Sequence, residues 1–218
     1  MDSLIFICEV IGTIAFSISG AFVGLRNKSD VFGVLVLGTI TATGGGMIRD
    51  IILGRIPPSA FQNPVYVFIA MITALVVFTI AYIRERSGKM ISRVDYRNVL
   101  FYMDSIGLGI FAVVGVNTAV SVYGVDNGFL CVFCGMITGV GGGLLRDVLV
   151  CHQPDILTKD IYAVAAIAGG YMSFLLFKSG NPVGAIWIPA VCILIIRMIA
   201  RQFSLNLPKV INFREPKA

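Results

Sequence analysis

Charge is what this sequence has least of. Among 218 residues there are 17 Lys and Arg and 12 Asp and Glu, together 13%, against roughly 25% in an ordinary soluble domain. There is one His and one Trp. Apolar residues make up 57% before the 24 glycines are counted, and the mean hydropathy is +0.89. A water-soluble fold of this size could not hide that much apolar surface. A soluble enzyme and a disordered chain are therefore both excluded. A β-barrel porin is excluded as well, because the apolar residues come in long runs and do not alternate with polar ones. No HExxH, GxSxG or phosphate-loop Lys is present, so no enzyme is expected. The first residues, MDSLIFICEV, carry an acid where a secretory leader would carry Lys or Arg. They read as the start of a membrane span.

Seven apolar runs are present, at about 4–25, 31–54, 64–83, 99–122, 128–150, 160–178 and 181–201. Each has about the 20 residues that a spanning helix needs. The predicted fold is an all-α membrane protein with seven transmembrane helices in one domain, 1–201, followed by a cytoplasmic tail, 202–218. The net charge of +5 does not point to nucleic acid, because the basic residues lie in short loops between the runs. One set of alternate loops, with the C-terminus, holds Arg26, Lys28, Arg84, Arg86, Lys89, Arg93, Arg97, Lys159, Arg201, Lys209, Arg214 and Lys217. The other holds Arg55 and Lys178, while Arg49, Arg146 and Arg197 fall inside spans. The positive-inside rule then puts the N-terminus outside and the C-terminus in the cytoplasm. The charged stretch 84–97 reads as a linker with a topogenic role, or as a site for anionic lipid.

The strongest signal is internal duplication. TATGGGMIRDIILGRIP at 41–57 matches TGVGGGLLRDVLVCHQP at 138–154, and EVIGTIAFSISG at 9–20 matches DSIGLGIFAVVG at 104–115. Repeat one covers 4–83 and repeat two 99–178, with the seventh helix, 181–201, added. Three spans per copy is an odd number, so the copies insert in opposite senses, as an inverted repeat. Proteins of this build carry solutes along the seam between repeats.

Glycine triplets inside spans are poor helix propagators, at ~1 kcal/mol per Gly relative to Ala. Gly44, Gly45, Gly46 and Gly141, Gly142, Gly143 are expected to kink or unwind the second and fifth spans. The carbonyls so freed, with the Thr41 and Thr138 hydroxyls, could line an ion pathway. The alternative is that small residues let two helices pack closely. Charges inside a span need partners, and two clusters are predicted: Glu9, Arg49 and Asp50 at the outer end, Asp104, Arg146 and Asp147 at the inner end. Each holds two acids and one Arg, a net negative balance suited to cations, with a gating or helix-anchoring role. Trp187, Tyr66, Tyr96, Tyr102 and Tyr162 read as interfacial anchors. Cys8, Cys131, Cys134 and Cys192 read as small core residues, and Cys151-His152 as a loop pair. No metal site or cofactor is expected beyond a permeating ion.

The duplicated GGGxxRD, the paired acid-x-Ile-Gly segments and the span count resemble the prokaryotic TRIC (trimeric intracellular cation) channels, a family also labelled glycine transporter domain. The resemblance covers about residues 4–200. It implies a homotrimer in a prokaryotic plasma membrane, with a pore in each protomer lined by glycine-kinked second and fifth helices. It implies K+ as the permeant ion, with Na+ as a second candidate. Two other functions remain open: secondary transport of glycine or another small neutral amino acid, and a non-transporting scaffold or lipid-binding role.

Overall fold

A computed structural model describes residues 2–88, 93–154, 157 and 161–205. The regular elements among them are all helices: α1 (Asp2–Arg26), α2 (Val31–Ile52), α3 (Ser59–Gln62), α4 (Val65–Arg86), α5 (Arg93–Tyr123), α6 (Gly128–Leu149), α7 (Ala163–Lys178) and α8 (Gly184–Gln202). Six of these are long and apolar enough to cross a membrane: α1, α2, α4, α5, α6 and α8. The protein is a multi-pass membrane protein. The 16-residue α7 is apolar but shorter.

Apolar runs predict helix ends well here because polar caps stand beside them. Asp30 accepts a hydrogen bond from the Gly33 amide at 2.8 Å, and Asn127 one from the Leu130 amide at 3.0 Å, each filling an otherwise orphaned donor of the first turn. The C-terminal turns of α2 and α6 are equally alike. Gly54 and Cys151 adopt left-handed φ values of 70° and 52°. The next amides, of Arg55 and His152, donate to the Asp50 and Asp147 carbonyls at 2.8 and 2.9 Å. The linker is shorter than expected, because α5 begins at Arg93 and takes in part of the charged stretch. A helix leaving the membrane no longer needs apolar residues, and Arg is a good helix former. Lys89 and the linker residues 89–92 lie outside the described residues, as do Lys159 and the tail beyond 205, which carries Lys209, Arg214 and Lys217.

Helices α1, α2, α5 and α6 form the centre. Outside them, α4 packs on α1 and α2, α7 on α5 and α6, and α8 on α5 and α7. The centre is held by glycine. A Cβ on Gly45 would collide with the Thr138 carbonyl oxygen, and a Cβ on Gly142 with that of Thr41. Residue 45 thus meets 138 while 41 meets 142, so α2 and α6 cross antiparallel. Gly12 faces the Phe111 ring and Gly107 the Phe16 ring, with the two rings 5.2 Å apart. That pairing makes α1 and α5 antiparallel too.

The unwinding expected at the triplets is absent: α2 and α6 are continuous α-helices through Gly44–Gly46 and Gly141–Gly143. The Thr41 and Thr138 hydroxyls donate to their own helix, to the Leu37 and Cys134 carbonyls at 2.6 and 2.5 Å. They are buried at the helix crossing and line no open path. Close backbone approach, with the dispersion contacts it brings, offsets the poor propensity of the glycines.

Candidate functional site

One end of the bundle contains a cavity of about 960 Å³. Its wall is made by the last turns of α1, α6 and α8, the first turns of α5, and the segment after α6 that carries His152 and Gln153. Arginine is the commonest residue of that wall. Five line the cavity: Arg26, Arg97, Arg146, Arg197 and Arg201. The outer three are exposed and hold to aromatic rings where contacts are present. The Arg26 guanidinium lies 5.4 Å from the Tyr96 ring, and that of Arg201 4.3 Å from Phe101 and 5.5 Å from Tyr102. Arg201 also donates to Asn98.

The deep wall is a buried charge network. Arg146, 1% exposed, donates through Nε to Asp147 Oδ1 at 2.8 Å. Through Nη1 it donates to Asp104 Oδ1 at 3.1 Å and to Ser19 Oγ at 2.7 Å. Four helices thus meet here: α6 supplies the Arg and one Asp, α5 the other Asp, α1 the hydroxyl, and α8 a second Arg. Arg197 donates through Nε to Ser105 Oγ at 2.7 Å, and its Nη2 lies 3.5 Å from Asp104 Oδ2. Its guanidinium lies over the Tyr162 ring at 4.4 Å and the Phe101 ring at 5.1 Å. Tyr162 is therefore a buried wall of the site and no interfacial anchor.

The inner cluster forms as predicted, with one correction to its charge. Among the described residues Arg197 adds a second base, which offsets the negative balance expected of the cluster. Arg197 stands outside the duplicated motif, and comparing the copies could not find it. The signal that could have found it is a third in-span Arg in need of an acid.

The outer cluster forms only in part. Arg49 donates through Nε and Nη2 to Asp50 Oδ1 at 3.0 and 2.8 Å. Asp50, fully buried, accepts on Oδ2 from the Ser59 amide at 2.8 Å and the Ser59 hydroxyl at 2.5 Å. The first turn of α3 thus lies against the end of α2. Glu9 does not join this pair; it accepts from the Tyr66 hydroxyl of α4. Equal depth in the membrane placed Glu9 beside Arg49, but depth says nothing of which face of a helix a residue occupies. Ser59 was missed because it opens α3, a four-residue helix beyond the repeated motif. Among the described residues no group of three or more His, Cys, Asp or Glu could hold a metal ion. Cys8, Cys131 and Cys134 are buried free thiols, as the sequence suggests, while Cys151 is exposed.

The family model described as "Glycine transporter" matches twice, over residues 6–82 and 101–178. The inner membrane protein YadS of Escherichia coli, a UPF0126 protein, is 36% identical over 213 residues, covering 94% of this chain and 95% of that one. A solved TRIC cation channel is 36% identical with a TM-score of 0.78, covering 97% of this chain and 98% of the other. The TRIC orthologue from Rhodobacter sphaeroides is 29% identical with a TM-score of 0.83, covering 93% and 100%. On matches of this extent, the chain belongs to the TRIC family of membrane proteins, whose repeated unit is the glycine transporter domain.

Proposed function

We propose that the protein is a monovalent-cation channel that conducts K+, with a separate path in each protomer of a homotrimer. The observation that carries this reading is the cavity ending on the Asp104–Arg146–Asp147 network beside the α2–α6 crossing. It stands in a chain that matches solved TRIC cation channels over nearly its whole length. The antiparallel pairing of α1 with α5 and of α2 with α6 supports an inverted repeat, with α7 as the third crossing of the second copy and α8 as the added seventh helix. The Arg-rich end then faces the cytoplasm, with the N-terminus outside, in a prokaryotic plasma membrane. The path runs beside the crossing of Gly44–Gly46 with Gly141–Gly143, where α2 and α6 touch. Arg146 and Arg49 close its two ends, and opening requires these arginines to move within their carboxylate partners.

Purified protein in a planar bilayer tests the reading. Unitary K+ currents in the absence of any amino acid are expected. Their absence, with saturable glycine uptake into liposomes, supports the second reading, an amino-acid carrier. One observation favours that reading: the wall sets Arg next to Asp, which suits the carboxylate and ammonium ends of a zwitterion at once.

A further inference from the structure

Arg197 is the one member of the buried network that comes from neither copy of the duplicated motif. It is also the most loosely held. Arg146 meets Asp147 at 2.8 Å and Asp104 at 3.1 Å, whereas Arg197 reaches Asp104 only at 3.5 Å. Its other partners are one hydroxyl and two aromatic faces, which hold a guanidinium without neutralising it. Yet the residue is only 4% exposed, in a place where an ill-matched charge is costly. A role confined to fastening α8 would be served better by an apolar side chain, since buried ion pairs contribute little net stability over a hydrophobic replacement. The position has a different property: it puts a tethered cation against the carboxylate that a mobile cation in the cavity would meet.

We infer that Arg197 is a built-in competitor for the permeating ion at Asp104, so that α8, the helix outside the duplication, sets the cation preference of the pathway. The inference rests on the channel reading above. Among the described residues Arg197 offsets one carboxylate charge of the deep wall, and replacing it with a neutral residue makes the same space more negative by one unit. A unit charge about 4 Å away in water-like surroundings changes the occupancy of a cation about fivefold. Arg197 is thus a positioning and selectivity residue that acts through Asp104.

The test is the reversal potential of purified protein in planar bilayers under a KCl gradient. Arg197→Gln should raise the K+/Cl− permeability ratio about fivefold. Arg197→Lys, which keeps the charge, should stay within about twofold of wild type. The gain should be largest in dilute KCl and fade near 1 M, where the Debye length falls to about 3 Å. A merely structural role would show no such salt dependence. Should Arg197→Gln fail to fold, Asp104→Asn/Arg197→Gln removes one charge of each sign, and its K+/Cl− ratio should stay within about twofold of wild type, while Asp104→Asn alone should lower the ratio about fivefold. A conducting wild type with an unchanged ratio in Arg197→Gln, or a double variant whose ratio matches that of Asp104→Asn alone, overturns the inference and leaves the channel reading intact. A wild type that passes no K+ overturns both.

Discussion

The two ends of the bundle carry the same motif in different company. At both, an Arg follows a glycine triplet, pairs with the next residue, an Asp, and is followed by a left-handed turn. At one end Asp50 is capped by the amide and hydroxyl of Ser59. At the other, Arg146 also bonds Asp104 and Ser19, and the network lines a cavity of about 960 Å³. Duplicated residues build the frame that the ends share. Ser59 and Arg197, outside the matched segments, make them differ, and so does a matched pair: Asp104 joins Arg146, whereas its counterpart Glu9 turns to Tyr66. At the offset of 97 that relates the motifs, Ser59 is matched by Ile156 in the sequence.

That contrast can be broken most severely at the arginines. Arg146→Gln leaves Asp104 and Asp147 buried without their shared base and should cost about 3–5 kcal/mol. Arg49→Gln leaves Asp50 with both Ser59 bonds and should cost less. Thermal unfolding in detergent, followed by size-exclusion chromatography, reads the difference. Equal losses would mean that the extra partners at the inner end do not matter. Next come the shared glycines: Gly45→Ala and Gly142→Ala should each cost about 1–3 kcal/mol or more by forcing α2 from α6. Similar losses at the two sites are expected, and a large disparity would break the symmetry of the crossing. Ser59→Ala removes one of two hydrogen bonds to a buried carboxylate, an effect of about 1.5–3 kcal/mol. It should loosen the α3 end alone, seen as faster hydrogen exchange at residues 50–62 and unchanged exchange around Arg146. Smallest is Gly46→Ala. A Cβ there meets only Arg49 atoms at 3.7 and 4.0 Å, so the gain in helix propensity of up to ~1 kcal/mol should show as a slightly raised melting temperature.

Much of this was legible in the residues. Runs of apolar residues located the helices because the membrane, not distant packing, decides where they begin and end. The offset between Arg49 and Arg146 revealed the duplication, and the need of buried charge for a partner brought Asp104 to Arg146. What stayed hidden depended on rotation about a helix axis or on a loop. Glu9 faces Tyr66 of α4, a direction that depth along α1 cannot disclose. Tyr162 looked like a membrane-surface ring until its neighbour Arg197 was seen. The triplets misled for a thermodynamic reason. Propensity assigns a cost to glycine in an isolated helix, whereas Gly45 and Gly142 lie where two backbones touch and any larger residue would cost more.

The placing of Phe16 and Phe111 constrains how this molecule can move. Each ring sits in the notch that a glycine leaves on the opposite copy, Gly107 for Phe16 and Gly12 for Phe111. Sliding one copy lengthwise past the other would unseat both rings at once. Tilting about the clasp keeps both engaged, so the motion this packing favours between the two copies is a rocking with its pivot at these two phenylalanines.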